Sequence, residues 1–400
     1  MEFDTYSRAE VIEKLFALWT PRRETETLPL EQSHGRICGA DLRSRLSLPE
    51  LRSSGGDGIA VRSADFAGPF PDTSTWREGF NYIRADTGDD FDDRFDAVIM
   101  IEALTFNEDG GFSLPPGFNV LPGMNVRGRG DLVMEGDLLL KRGLPIRACD
   151  MGALAMGGIT EVPVLRKPVT AFIPTGNELV PPGAIPKRGQ NIDSNSVMIR
   201  HLLLEMGAEP LIFPIVRDEA GIIRGVLEEA LERADLVLVN GGSSKGAEDH
   251  NARLLAEMGQ VLSHGVNSAP GRPLCVALIG GKPVINLPGP MLATYFGADW
   301  CIRGIICRAL GIPVPQRPKV KAVLKGEGGP RKLPEGFELF CRVALERTGS
   351  GYEASLALPG KTGGERIAGF SSAQCILKGP NPPAGGGEIE VELSRGAEFI

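Results

Sequence analysis

The sequence predicts a multidomain α/β plus β protein, with a central doubly wound α/β domain, a β-rich insertion domain, a small helical region and a C-terminal β-barrel-like domain. Three observations predict it. Between residues 168 and 317, short apolar runs alternate with helix-period segments, the order of a parallel sheet with helices on both faces. Residues 41–145 are rich in Gly, Pro and Asp and carry short alternating segments (IAVRSAD, AVIMIEA, DLLLKRG) without helical periodicity. Beyond the Pro-marked linker GIPVPQRPKV, residues 318–400 hold alternating runs (FCRVALER, YEASLAL, CILKG, EIEVEL) that suit a small barrel or sandwich.

In chain order, 1–40 and 146–167 read as one discontinuous helical region packed around the insertion, from the amphipathic opening and the MGALAMGG stretch. VTAFI is the first strand of the α/β domain. NSVMIRHLLLEMG follows as a helix with Ile199, Leu202, Leu203 and Met206 on one face and Gly207 as the stop signal. PLIFPIV and the helix AGIIRGVLEEALERA come next, the latter with Ile222, Ile223, Val226, Leu227, Ala230 and Leu231 at helical spacing. The unbroken LVLV at 236–239 is a strand buried on both faces. A helix near NARLLAEMG, the strand-like VLSHGV and KPVINLPG, and the long helix MLATYFGADWCIRGIICRALG complete the domain. Ligands of such sheets gather where strands end and helices begin.

The bulk properties bound the function. Four hundred residues, 42% hydrophobic and 24% charged, suffice for several cores. A net charge of −8 without a long Lys/Arg run argues against nucleic-acid binding. No stretch approaches a membrane span and the opening segment has no signal-peptide core, so a soluble, cytoplasmic protein is expected, with no membrane partner. The seven scattered cysteines lack a C-x-x-C pair and read as reduced core thiols.

Three turns of the α/β segment share one design, in which a strand ends, glycines expose backbone N–H groups, and a carboxylate or hydroxyl follows. They are Thr175-Gly176-Asn177-Glu178, Gly241-Gly242-Ser243-Ser244-Lys245-Gly246 with Asp249, and Leu287-Pro288-Gly289-Pro290. Glycines admit a phosphate close to the backbone, and exposed amides stabilise its charge. Carboxylates among them would repel phosphate unless a divalent cation lies between, so Glu178 and Asp249 point to Mg²⁺-assisted phosphate chemistry. The bland alternative is an ordinary α/β loop with Glu178 capping a helix, and Asp193-Ser194-Asn195 has the form of a plain helix N-cap. In the β region, Asp57 in GGDGIAVR, Thr87 in RADTGDDF, Glu102 and Asp131 in RGRGD each read equally as turn residues.

Taken in order, these segments resemble the molybdopterin molybdenumtransferase family, MoeA and the gephyrin E domain, over essentially the whole chain. GGDGIAVRSADF resembles the family's M-D-G-Y-A-V-R, IPTGNELVPPG…GQNIDSNS its S-T-G-D-E-L-x-x-P-G…G-x-I-x-D-S-N, and ADLVLVNGGSSKGAED its A-D-L-V-I-T-S-G-G-V-S-V-G-x-x-D. The resemblance implies a homodimer whose α/β domain is of molybdopterin-binding type. It implies an enzyme that takes adenylylated molybdopterin and molybdate, uses Mg²⁺ to cleave the adenylate, and inserts the metal at the dithiolene. Downstream molybdoenzymes and the adenylylating protein are its implied partners. Asp57, Glu178 and Asp249 would be catalytic, Glu178 and Asp249 holding the metal ion. Substrate would be bound by Thr87, Asp131, Thr175, Gly176, Asp193, Ser194, Asn195, Gly241, Gly242, Ser244, Lys245 and Gly246, with Pro270, Gly271, Arg272, Pro288 and Gly289. Two loops depart from the pattern. K-P-G-K-P becomes Ala269-Pro270-Gly271-Arg272-Pro273, and L-P-G-N-P-V-S becomes Leu287-Pro288-Gly289-Pro290-Met291-Leu292-Ala293, while Lys245 stands where the family has Val. Both loops bear on oxyanion handling, so a non-catalytic molybdopterin carrier or sensor is the alternative.

Overall fold

The computed structural model describes residues 6–242, 250–326, 330, 332–349, 351–357 and 373–394. The chain divides into two compact units, Glu24–Leu165 and the remainder, Met1–Arg23 with Arg166–Ile400. Among the described residues, no helix is long and apolar enough to cross a membrane. Six of the seven cysteines are buried thiols and Cys149 is exposed.

The larger unit opens with helix Arg8–Leu18, started by a capping box in which Ser7 Oγ accepts from Glu10 N–H and the Glu10 carboxylate accepts from Ser7 N–H at 2.7 Å. Pro21 forbids its continuation, and the backbone is already extended at Trp19. In the α/β domain the parallel neighbours are Glu209–Ile212, Val169–Pro174, Leu236–Asn240 and Lys282–Leu287, in that order across the sheet. The expected all-parallel sheet is in fact mixed. Cys275–Ile279 lies antiparallel to Lys282–Leu287, and Gln260–His264 pairs antiparallel with Cys275–Ile279. The cause is local: Gly280 and Gly281 both take positive φ (57° and 78°), the conformation a two-residue hairpin needs.

Helices Ala220–Arg233 and His250–Met258 cover one face of this sheet, burying Ile223, Leu227, Ala230 and Leu255 against Ala171, Ile173, Val237 and Val239. Phe172, Leu238 and Ile285 alternate with those strand residues and are fully buried too, as a sheet covered on both faces requires. Helix Asn195–Glu205 buries the expected Ile199, Leu202 and Leu203, whereas Ile222 of the next helix is 43% exposed despite its helical spacing. The first strand lies between the second and the third, so the connections diverge between Val169–Pro174 and Leu236–Asn240. At that reversal the carboxyl ends of the strands leave a crevice.

The C-terminal strands Lys319–Leu324, Glu338–Thr348, Gly351–Ala357, Ala373–Lys378 and Glu388–Leu393 close into a five-stranded barrel, because Glu338–Thr348 pairs with both Gly351–Ala357 and Ala373–Lys378. A half-buried ionic cluster ties it to the α/β domain, the barrel's Gln374 donating to Asp299 at 3.4 Å and its Glu392 lying 3.8 Å from Arg317. Asp299, in the π-turn Ala298–Ile302, accepts two bonds from Arg317 (2.5 and 2.6 Å) and two from Arg303 (3.0 and 3.2 Å). Burial alone would raise the Asp299 pKa, but the bonds and charges of Arg317 and Arg303 outweigh it and hold the carboxyl below its ordinary value. A carboxylate with a depressed folded-state pKa contributes stability that is present above its unfolded pKa of about 3.9 and is lost as pH falls through the folded value. Asp299→Asn is therefore expected to cost about 1–3 kcal/mol at pH 7, since, among the described residues, Arg303 loses its counter-charge and Arg317 keeps only Glu392, at 3.8 Å. Chemical denaturation at pH 7 and near pH 3 checks this, and a gap between the two proteins that does not narrow in acid would contradict it.

In the smaller unit, Gly58–Val61 is the middle strand of an antiparallel three, between Tyr82–Ala85 and Ala97–Met100. Ile59, Val61, Tyr82, Ile99 and Phe112 fill one side and Ala60, Phe95 and Val98 the other. The expected helical packing of the two flanks is corrected. Helix Arg8–Leu18 groups with the other unit, and the flanks meet here as antiparallel strands, Thr25–Pro29 against Glu161–Leu165. The β-branched Thr25, Thr27, Val162 and Val164 favour that pleated pairing. The second flank does carry a helix, Ala148–Met156.

Candidate active site

The crevice at the sheet's reversal is a cleft of about 730 Å³. The carboxyl ends of three adjacent strands build it. Val169–Pro174 delivers Thr175, Gly176 and Glu178, Leu236–Asn240 delivers Gly241 and Gly242, and Lys282–Leu287 delivers Pro288 and Gly289. Asp193, Ser194 and Asn195 enter at the start of helix Asn195–Glu205, and Pro270 and Gly271 close another side. One cleft thus gathers every described α/β residue that the sequence singled out for substrate except Arg272, which is exposed and lies outside the lining. Ser244, Lys245, Gly246 and Asp249 lie outside the described residues.

The glycines divide by what they do. Gly241 has φ 121°, and a Cβ there would stand 2.6 Å from Thr175 O. Gly242 has φ 55°, and its Cβ would meet Asn251 Nδ2 at 2.7 Å. These turns therefore admit only glycine without rearrangement. Their amides are not all presented, however. The Gly176 N–H is used by Val216 O (3.1 Å) and the Gly241 N–H by Leu287 O (3.1 Å), which corrects the expectation that these two face a ligand. The Gly242 and Gly289 N–H groups have no partner among the described residues.

Beneath the turns lies a layer of buried amides that sequence inspection passed over. Asn240 Nδ2 donates to Pro288 O (2.9 Å), Thr294 Oγ1 (3.0 Å) and Leu287 O (3.3 Å). Asn195 Nδ2 donates to Asn240 Oδ1 and Gly289 O, both at 2.8 Å, and Thr294 Oγ1 donates to Pro288 O at 2.6 Å. Asn251 Nδ2 donates to Gly241 O at 2.9 Å. The signal was legible as an asparagine closing an otherwise apolar strand, LVLVN. The buried Asn195 Oδ1 has no hydrogen-bond partner among the described residues. An unpaired buried acceptor costs roughly 1–3 kcal/mol.

The described wall is acidic. Glu178, Asp193 and Asp218 line it, and no Lys or Arg among the described residues does. Asp193 is committed to capping, its two oxygens accepting from Ser196 N–H (3.0 Å) and Ser196 Oγ (2.5 Å), so the cap interpretation holds for this residue. Glu178 is exposed; its backbone carbonyl accepts from Asn191 N–H at 2.8 Å, but its carboxylate makes no hydrogen bond or ion pair among the described residues and is folded over Gly176, where a Cβ would meet Oε2 at 2.7 Å. Among the described residues no group of three or more His, Cys, Asp or Glu is placed to hold a metal ion. An oxygen-only wall offering one uncommitted carboxylate nevertheless fits Mg²⁺, which is usually held by one or two carboxylates plus substrate phosphates.

In the smaller unit, two residues that the sequence offered separately are joined. Thr87 N–H and Oγ1 both donate to Asp57 Oδ1 at 2.7 Å, and the side-chain bond first, then the backbone bond, holds the exposed Asp57 carboxyl below its ordinary pKa. The flanking glycines are packing requirements: a Cβ at Gly58 would stand 2.0 Å from Ile99 O and one at Gly55 2.8 Å from Asn125 O. Asp131 closes its own turn, accepting from Gly128 N–H at 2.6 Å, and Glu102 is exposed in a short 3₁₀ turn.

Comparison with known proteins agrees with this geometry. Residues 6–158 match the family model of the MoeA N-terminal region (domain I and II), and residues 171–306 match that of a probable molybdopterin binding domain. The molybdopterin molybdenumtransferase of Haemophilus influenzae is 31% identical over 302 residues, covering 72% of this chain and 74% of that protein. The molybdopterin molybdenumtransferase of Staphylococcus aureus strain COL is 28% identical over 379 residues, covering 90% of this chain and 88% of its own. Among solved structures, the molybdopterin biosynthesis MoeA protein from Pyrococcus horikosii superposes with a TM-score of 0.77 at 27% identity, covering 98% of this chain and all of that one.

Proposed function

The chain belongs to the molybdopterin molybdenumtransferase family, and from that premise we propose that it carries out Mg²⁺-dependent cleavage of adenylylated molybdopterin and insertion of molybdate at the dithiolene. It is a transferase of molybdenum cofactor biosynthesis. The observation that carries the finer reading is the cleft at the sheet's reversal, where Gly242 and Gly289 amides lie with the uncommitted Glu178 carboxylate in one volume of about 730 Å³.

Each group has a task in this reading. Gly242 and Gly289 N–H donate to phosphate or molybdate oxygens, because unpaired amides at strand ends favour negative charge. Asn195, Asn240 and Thr294 hold the turn that carries Gly289. Glu178, with Asp249, would hold Mg²⁺, which when bound neutralises charge developing on the phosphate. Lys245 would supply a cation for the oxyanion, a role the sequence alone supports. Asp57, oriented by Thr87, acts from the β-rich unit in a cleft completed by a second copy, so the working form is a homodimer of the cytoplasm. The enzyme receives its substrate from an adenylylating protein and passes its product to molybdoenzymes.

Incubating the purified protein with adenylylated molybdopterin, Mg²⁺ and molybdate tests this. AMP release with molybdenum retained on the pterin is the expected result, in a species of twice the chain mass. Pterin binding without AMP release would instead leave a carrier, and a monomer active at every concentration would remove the shared cleft.

A further inference from the structure

We propose that Asn240 is a positioning residue that fixes the Leu287–Pro290 turn from below and so sets the Gly289 amide for oxyanion chemistry, an inference that rests on the reading above. Residues 288–290 contain a single backbone donor, since Pro288 and Pro290 have no N–H. The Gly289 N–H is that donor, and it has no partner among the described residues. Its direction is therefore set by what holds the neighbouring carbonyls. Asn240 holds Pro288 O (2.9 Å) and reaches Leu287 O (3.3 Å), while Asn195, itself oriented by Asn240 Oδ1, holds Gly289 O (2.8 Å). Thr294 Oγ1 donates to Pro288 O (2.6 Å) and accepts from Asn240 Nδ2 (3.0 Å).

Every carbonyl from Leu287 to Gly289 is thus gripped by one connected set of side chains, with Asn240 3% and Thr294 0% exposed. One feature separates this from a fold-stabilising knot: the set grips only the turn that faces the cleft. It leaves Asn195 Oδ1 buried without a partner among the described residues. The grip is a property of this chain's sequence: the family pattern quoted above has Ser at the Asn240 position and Asn at Pro290, so an amide is present on the strand here and absent from the loop.

The test compares wild type with Asn240→Ser, whose hydroxyl cannot span Pro288 O, Leu287 O and Asn195 together, and with the near-isosteric Thr294→Val as a second variant should the first fold poorly. Three quantities are measured on each full-length protein, namely molybdopterin Kd, the KM for molybdate with kcat, and Tm. Expected is a rise of about tenfold or more in the KM for molybdate, the equivalent of one or two hydrogen bonds, with pterin Kd changed less than about threefold and Tm within a few degrees. A KM and kcat within about twofold of an active wild type overturn the inference and leave the proposed function standing. So does a loss that pterin affinity and Tm share in proportion, which marks a structural role only. Wild type that releases no AMP overturns the proposed function, and the inference falls with it.

Discussion

Glu178→Gln and Asp249→Asn are each expected to lower AMP release from adenylylated molybdopterin by at least about a hundredfold while molybdopterin still binds within about threefold of wild type. Electrostatics carries the expectation. The described wall presents three carboxylates and no basic side chain to a ligand that is itself anionic, in a chain of net charge −8. Of the three, Asp193 is spent on Ser196 and Asp218 has other interactions, which leaves the Glu178 carboxylate without a partner among the described residues. A carboxylate left exposed beside a phosphate would be repulsive unless a cation intervened, so on the proposed function its replacement by an amide removes a metal ligand rather than a structural contact. The proposed function gives neither carboxylate a contact with the pterin, so pterin binding should survive. The measurement is AMP release titrated with Mg²⁺ alongside pterin affinity. Rates equal to wild type at limiting Mg²⁺ would show that neither carboxylate serves the metal.

Much of this site was legible because glycine and charge patterns are local. The turns at Thr175-Gly176 and Gly241-Gly242 announce themselves by residue type at the ends of apolar strands, and the sheet brings them together once strand order is set by the short connections. Other features depend on pairings that sequence order does not encode. The antiparallel strand Cys275–Ile279 is as apolar as the parallel strands of the same sheet, and only the Gly280-Gly281 turn distinguishes it. The strand Thr25–Pro29 finds its partner more than a hundred residues away, beyond the reach of any periodicity window. Which amides remain free is a tertiary fact as well: Gly176 and Gly241 looked available until Val216 and Leu287 were seen to accept from them. Asn240 escaped notice because a single polar residue at the end of an apolar strand reads as a strand terminator. Its burial and its partners on another strand end give it a different meaning.

Gly241→Ala is expected to abolish function and weaken the fold, whereas Gly289→Ala, on the facing turn of the same cleft, should leave stability nearly unchanged. At Gly241 two penalties coincide. The φ of 121° lies where an L side chain is strained by about 1–3 kcal/mol, and the added Cβ would stand 2.6 Å from Thr175 O and 2.7 Å from Thr175 Oγ1. The obstructing carbonyl belongs to the neighbouring strand end, so relief requires backbone movement, at a further cost of about 1–3 kcal/mol. Such movement pulls Thr175 away from Asn240 O, to which its N–H (2.9 Å) and Oγ1 (3.2 Å) donate, and so opens the sheet at its reversal point. A Tm lowered by roughly 5–10 °C and a loss of cleft activity of about a hundredfold or more follow, since displacements of an ångström are enough for the latter. At Gly289 the nearest atom to an added Cβ is Gly241 Cα at 3.8 Å, an ordinary contact, and its φ is not in the left-handed region. Thermal unfolding of both variants decides the matter. If Gly289→Ala proved the more destabilising, the assignment of Gly241 as the sterically determined turn, and of Gly289 as the glycine kept open for a ligand, would have to be reversed.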